Sequence, residues 1–555
     1  MSRFSRLSTD IRPAAVPFSE YPRPQLKRDS YICLNGQWDR KIMVPFPLQS
    51  ELSGFKGEVG DKFTYSREFE LPRGFIKKKV LLHIDAADTV ARVYVNGIPV
   101  VSHEGGYLPF EADITQALGD NPYDKIHTLR VDVTDTLDPR YPYGKQTKKR
   151  GGMWYTPVTG IWKSVWLESV PDKYIKALEI TPSLTGVTID IDSEADDFHV
   201  EVSDRNGLVY SGIKCNGYFS LDIKNPILWT PEDPHLYSLT IKTDTDCVES
   251  YFGLRTVTIE NVNGVPRILL NGKPFFFHGV LDQGYYPEGI FLPNSEEGYK
   301  EDIRLLKSLG YNTIRKHIKI EPECFYEACD RMGILVFQDM VNNGKYRYIR
   351  DTVLPTIGDK HMNDRKTRVP EEYRTIFAKH MEDTVAHLYN HPCIVYYTIF
   401  NEGWGQFESD LMYDILKSMD TSRVIDSASG WFKQKSSDVE SEHTYYGKYV
   451  FKPSERPTVL SEFGGFTLRS EGHMFNPKKT YGYGTCKSPA ELTKRIIEKY
   501  ESVVIPYIDK GMCGSIYTQI TDVEDEINGL YTYDRKICKV IPEEMRRLAE
   551  RLVIS

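Results

Sequence analysis

Cysteine is scarce and unpatterned in this sequence: nine in 555 residues, an odd count, with no CxxC pair. Such usage gives no disulfide framework and fits reduced thiols in a cytoplasmic chain. No apolar run is long enough to cross a bilayer, so no membrane partner is expected. The opening MSRFSRLSTDIRP has no apolar centre of the kind that a secretory signal carries. Excess positive charge is absent too. The formal net charge is −8, which argues against a general polyanion or nucleic-acid binder. The basic clusters Lys77–Lys79 and Lys145–Arg150 (KQTKKR) are expected to be solvated loops. Three catalytic signatures are also missing: the GxSxG elbow, the HExxH helix and a phosphate-binding glycine loop.

What remains is ordinary globular material (40% hydrophobic, 12% aromatic, 27% charged), at a length that one core does not serve. The chain changes character near residue 262. Before it, short alternating runs dominate. In ARVYVNGIPVVSHEG, Val93 and Val95 share a face and Asn96-Gly97 marks a hairpin turn. KSVWLESV and HLYSLTIKTDTD read the same way. Residues 1–170 are therefore assigned to one β domain and 171–262 to a smaller immunoglobulin-like β-sandwich.

From residue 263 to 555 strands and helices alternate. YKEDIRLLKSLG places Ile303, Leu306 and Leu309 on one helical face and stops at Gly310. Eight strand candidates occur in this part: FFFHGVL, NTIRKH, ILVFQDM, IVYYTIFNE, VIDSASG, EHTYY, TVLSEFGG and GSIYTQI. This is the pattern of a (β/α)8 TIM barrel, whose active site lies at the C-terminal ends of the strands.

Two of these strands end in glutamate. The run YYTIFNEGW is apolar almost throughout until Asn401-Glu402, and TVLSEFGG carries Glu462 before two glycines. A helix cap would explain Asn401-Glu402 in isolation. Two carboxylates at the ends of the fourth and seventh strands instead converge across a barrel mouth, the arrangement that glycoside hydrolysis requires. Repulsion and desolvation are then expected to raise the pKa of one of them.

FNEGW and SEFGG resemble the acid/base and nucleophile segments of glycoside hydrolase family 2, the family of β-galactosidases, β-glucuronidases and β-mannosidases. LNGQWD, VYVNGIPVVSHEGGYLPFEADIT and GIWKSVWLE resemble its N-terminal jelly-roll domain, and YFGLRTV the strand leaving its immunoglobulin-like domain. The resemblance implies a retaining exo-glycosidase with Glu462 as nucleophile and Glu402 as acid/base, and Asn401 on the sugar 2-hydroxyl. It matches Tyr445 or Tyr446 to a tyrosine near the nucleophile, and Arg315 and His317 to an arginine and a histidine on the second strand. Asp282 and Asp339 suit hydroxyl-binding carboxylates, or anchor Arg315. Tyr517 stands where the family commonly has tryptophan.

The resemblance also bears on the sugar. Family uronidases place Asn and Lys, two residues apart, after the last strand; Glu526 and Asn528 stand there in DEINGLYTYDRK. Asn528-Gly529-Leu530 is similar to a β-galactosidase segment whose Asn binds sugar. The expectation is thus a neutral-sugar enzyme, β-galactosidase first, with no cofactor and no essential metal. It acts on an oligosaccharide or simple glycoside, and a homo-oligomer is possible. The alternatives are a β-glucuronidase or β-galacturonidase, another family member such as a β-mannosidase or arabinosidase, or an inactive carbohydrate-binding protein. A uronidase would have to draw its cation from Arg315 or Lys316.

Overall fold

The computed structural model describes residues 15–356, 362–445 and 449–554; the opening segment MSRFSRLSTDIRP and Tyr446 lie outside these residues. The first part is built of two four-stranded antiparallel sheets. Val90–Val95 and Ile98–Glu104 form the expected hairpin, with both turn residues at positive φ, Asn96 at 51° and Gly97 at 80°. That geometry defines the tight turn matching strand twist, and only Asn or Gly enters it cheaply. Alternation then buries Ala91, Val93 and Val95 against Leu129, Val131 and Val133 of the neighbouring strand.

A second sandwich pairs a three-stranded sheet (Ile175–Pro182, Gly186–Ser193, Tyr218–Asp222) with a four-stranded one (Gly207–Lys214, Phe198–Asp204, Tyr237–Lys242, Cys247–Phe252). Its junction with the first sandwich is ionic and largely buried. Arg28 donates to Glu168 at 2.8 Å and to Asp246 at 2.8 Å, with all three side chains 0% exposed. Glu168 also accepts from Arg23 at 2.9 Å and from the Tyr21 hydroxyl at 2.6 Å. Burial works to raise the Glu168 pKa, but Arg23, His83 and Arg28 outweigh it and hold the carboxyl well below its usual range. Removing one partner of such a group strands a buried charge, so Glu168→Ala should cost about 3–5 kcal/mol of unfolding free energy. The pH dependence has a defined sign. A carboxyl with a depressed native pKa contributes stability that is complete above its unfolded value, about 4.3, and fades as the pH falls towards the native value. The stability lead of the wild type over Glu168→Gln, measured by denaturant unfolding, should therefore shrink between pH 7 and pH 3. A constant gap would contradict this account.

A ribbon of Val257–Val262 and Val265–Leu270 leads into the barrel. Just before it, Arg255 caps strand ends by donating to the carbonyls of Pro392 (3.0 Å) and Ile394 (2.7 Å). The barrel strands are β1 (Phe277–Asp282), β2 (Thr313–Lys316), β3 (Leu335–Asp339), β4 (Ile394–Asn401), β5 (Val424–Ser429), β6 (Glu440–Thr444), β7 (Thr458–Gly464) and β8 (Met512–Thr518). All eight fall on the expected segments. They form one parallel sheet in the order β5-β4-β3-β2-β1-β8-β7-β6. Side chains bridge the seam between β5 and β6: Ser429 lies 3.2 Å from Ser441 and 3.0 Å from His443, and donates to Ser461 at 2.9 Å. Helices cover the outside. In Glu297–Ser308 the buried face is Tyr299, Ile303 and Leu306, and Gly310 follows at φ 91°. Among the described residues no helix is long and apolar enough to cross a membrane.

Candidate active site

The chain leaves β4 through a turn in which Glu402 (φ 52°) and Gly403 (φ 73°) both take left-handed backbone. For glutamate that conformation is unfavourable, and such residues persist where surrounding structure holds them. Here the Glu402 amide donates to the Ser429 carbonyl at 3.0 Å and the Trp431 indole donates to the Glu402 carbonyl at 3.0 Å. The carboxylate remains 24% exposed. Across the mouth, Glu462 sits inside β7 and is followed by Gly464 (φ 84°) and Gly465 (φ 77°). A Cβ on Gly464 would stand 2.3 Å from the Tyr517 ring, and one on Gly465 2.5 Å from the Tyr483 ring. Glycine is required at both positions.

His443 of β6 joins the two glutamates. Its Nδ1 is 2.9 Å from Glu402 Oε1 and its Nε2 3.8 Å from Glu462 Oε1. One ligand atom from each of the three residues lies within 4.8 Å of the others. By composition this trio would suit a metal ion. Both Glu462 oxygens, however, already accept hydrogen bonds, from Arg315 and from the Tyr445 hydroxyl. A cation placed there would adjoin the Arg315 guanidinium, so the donor set favours proton chemistry.

Arg315, fully buried on β2, organises the floor. Its Nε donates to Asp339 at 2.9 Å, its Nη1 to Glu462 at 3.1 Å and to the Ser461 carbonyl at 2.9 Å, and its Nη2 to Asn401 Oδ1 at 2.8 Å. One side chain thus ties β2, β3, β4 and β7 together. It also leaves the Asn401 NH2 without a protein acceptor among the described residues. Burial raises the Glu462 pKa, yet His443, Arg315, His317 and Lys145 outweigh it and draw the carboxyl down to about 2. The shift is downward for this member of the pair, because positive charge around Glu462 outweighs desolvation.

Other expected residues fall in different settings. His317 Nδ1 is 2.8 Å from Asp339 and 4.0 Å from Glu462; burial, aided by the Lys145 charge, pushes its pKa down. Asp339 therefore anchors Arg315 and His317. Asp282 accepts from Lys316 at 2.5 Å and from the Gly284 amide at 2.7 Å, so it anchors Lys316. Tyr445 stacks on Tyr483 with ring centroids 4.2 Å apart. Tyr517 is wholly buried beneath Gly464, edge-on to Phe463. Asn528, 0% exposed, accepts from Gln519 at 2.8 Å and donates to Glu526 at 2.9 Å, so its amide oxygen and one amide hydrogen are engaged within the protein.

Two residues that no motif pointed to also belong to the site. His443 was legible only as part of EHTYY, although a polar residue near a barrel strand's C-terminal end is a signal in itself. Lys145 had none. The KQTKKR segment is only partly the solvated loop that was expected: Lys148, Lys149 and Arg150 are exposed, but Lys145 is half-buried and Gln146 is buried. The Lys145 charge acts on Glu462, His317 and Glu526, while Arg150 pairs with Asp525 at 3.3 Å.

Two strand-end glutamates at this separation are the arrangement that glycoside hydrolysis uses. Three family models match in succession: glycosyl hydrolases family 2, sugar binding domain, over residues 7–171, glycosyl hydrolases family 2 over 175–255, and glycosyl hydrolases family 2, TIM barrel domain, over 261–539. The chain belongs to glycosyl hydrolase family 2. It is 30% identical over 514 residues to the β-glucuronidase of Mus musculus, covering 79% of this chain and 72% of that one. It is 24% identical over 454 residues to the β-galactosidase of Thermoanaerobacter pseudethanolicus, covering 75% of this chain but only 54% of that protein. In fold it resembles the β-D-glucuronidase of Dictyoglomus thermophilum, with a TM-score of 0.76 at 21% identity over 96% of this chain and 99% of that one.

Proposed function

We propose that the protein is a retaining exo-β-glycosidase acting on β-uronides, with β-glucuronides first. The observation that carries the retaining mechanism is the spacing of Glu402, His443 and Glu462, whose ligand atoms fall within 4.8 Å of one another. Retaining enzymes hold their carboxyls about 5 Å apart, whereas inverting ones leave room for a water between them, about 6.5–9.5 Å. Glu462, ionised at neutral pH, attacks the anomeric carbon as Glu402 passes its proton to the departing oxygen. A covalent glycosyl-enzyme results. Glu402 then takes a proton from water, which attacks the same carbon and restores Glu462. Arg315 holds the nucleophile against β2, and the Asn401 NH2, without a protein acceptor among the described residues, is a donor for a sugar hydroxyl. The loop around Lys145–Thr156 supports exo action. Arg150 pairs with Asp525, the Tyr155 hydroxyl donates to Glu526, and the Thr156 amide donates to Glu524 at 2.9 Å, which closes one end of the mouth.

The uronide reading departs from the sequence-based preference for a galactoside. Likeness to β-glucuronidases supports it, as does the setting of Glu526, whose two oxygens accept from Tyr155 and Asn528. Burial raises the Glu526 pKa, while the Lys145 charge and the bonds from Tyr155 and Asn528 work against that rise. A galactoside remains the second reading, favoured by Asn528 standing where a uronidase has lysine. The two separate in one assay. The nitrophenyl β-glucuronide should exceed the β-galactoside in kcat/KM by at least about a hundredfold, and proton NMR should show the β-anomer forming first. Preference for the galactoside would reverse the substrate assignment; an α-anomer formed first would remove the mechanism.

A further inference from the structure

Three side-chain cations stand near the mouth, and two of them are fully buried and already paired with carboxylates of the protein. Every nitrogen of Arg315 donates within the protein. Lys316, 0% exposed, is held between Asp282 at 2.5 Å and Glu321 at 2.9 Å. A third, Lys145, comes from the N-terminal β domain and differs from both. It is half-buried, and its ammonium lies 5.8 Å from the Tyr155 ring centroid. Among the described residues its side chain makes no ion pair or hydrogen bond.

The backbone around it is fixed on both sides. The Tyr143 amide donates to the Asn342 carbonyl at 3.1 Å, and the Gln146 side chain donates to Asp88 at 3.0 Å. Gly144 (φ +62°) is pressed so closely on the chain leaving β2 that a Cβ would stand 3.1 Å from the Ile318 carbonyl and 2.9 Å from the Tyr107 hydroxyl. The Tyr155 amide donates to the Lys145 carbonyl at 3.1 Å, and the Tyr155 hydroxyl goes on to Glu526. Lys145 is thus a positioned ammonium with three donors, between the end of β2 and the segment after β8. Such a group, partly desolvated and with only an aromatic face beside it and no anionic partner among the described residues, fits a ligand carboxylate.

We propose that Lys145 receives the carboxylate of the sugar, so that the N-terminal domain supplies the uronate recognition that the segment after β8 lacks. This rests on the uronide reading above. Its electrostatics agree: the Lys145 charge acts on Glu462 and Glu526, the carboxylates that a bound uronate would otherwise face unaided.

The test is the ratio of kcat/KM for nitrophenyl β-glucuronide to that for nitrophenyl β-glucoside, two sugars that differ only at C6. In Lys145→Met the ratio should fall at least about a hundredfold, and Lys145→Arg should recover most of it, with thermal unfolding of both variants reported beside the rates. If both substrates lose rate by the same factor, Lys145 only balances the charge on Glu462 and the assignment is overturned. A wild-type ratio above one that Lys145→Met leaves in place also overturns the assignment, while the uronide reading stands. A wild-type ratio below one removes the uronide reading itself, and this inference with it.

Discussion

Glu462→Ala should lower kcat by at least about ten-thousandfold, equivalent to about 5.5 kcal/mol of transition-state stabilisation. In the proposed mechanism this residue is the attacking carboxylate, held by Arg315 at 3.1 Å and by the Tyr445 hydroxyl. Without it no covalent intermediate forms, and water cannot replace it, because Glu402 is placed to protonate the leaving group. Azide can. It is small enough for the space that the carboxylate vacates and needs no general base, so it should restore turnover of an activated aryl glycoside. The product should be the α-glycosyl azide, inverted because only one displacement occurs. The loss is chemical: Arg315 keeps Asp339 and Asn401 as partners, so the thermal unfolding of Glu462→Ala should stay close to that of the wild type. Two results would defeat the assignment. One is a mechanism-based fluorosugar that labels Glu402 in place of Glu462; the other is azide rescue that gives the β-azide.

The fold was legible where hydrophobic periodicity and turn chemistry agree. Val93 and Val95 before Asn96-Gly97 specify a hairpin by local rules alone. Strands β1, β3, β4 and β8 are largely apolar runs, whereas β5 (VIDSAS) and β6 (ESEHT) are polar and were marked by their place in the alternation of strands and helices. The two glutamates were legible because a carboxylate at the end of a buried strand has no packing role. What escaped was long-range. That Arg315 serves as a four-strand tie depends on β2, β3, β4 and β7 being brought together, and no local pattern encodes it. Asn528 invited a sugar-binding role by its position, but its partners Gln519 and Glu526 lie on the same folded-back segment and engage its amide. Lys145 read as part of a solvated basic loop because its surroundings, Ile318 and Glu526, lie far away in the sequence. Charge composition describes a loop's solubility and says nothing of what it docks against.

Glu402→Ala should behave in a way that no simple loss of a structural residue can imitate, because in the proposed mechanism Glu402 serves both steps in opposite roles. In the first step it protonates the leaving oxygen. An aryl leaving group as acidic as dinitrophenol hardly needs that proton, so kcat/KM for its glycoside should fall by no more than about tenfold. An alkyl glycoside needs it fully and should lose about a thousandfold or more, in the range that general acid catalysis contributes. In the second step Glu402 activates water. With that base gone, the glycosyl-enzyme formed from the dinitrophenyl glycoside should accumulate, giving a burst of phenol and lowering kcat and KM together. Azide attacks the intermediate without a base, and should raise kcat while giving the β-azide, retained after two displacements. The position of His443, 2.9 Å from Glu402 and 3.8 Å from Glu462, gives the competing account its form. If the imidazole were the acid and Glu402 merely its anchor, Glu402→Ala would slow aryl and alkyl glycosides by similar factors. His443→Ala would then reproduce the steep dependence on leaving group. Measuring both variants across aryl and alkyl glycosides separates the two accounts, and equal losses across that range in Glu402→Ala would end the case for Glu402 as the proton donor.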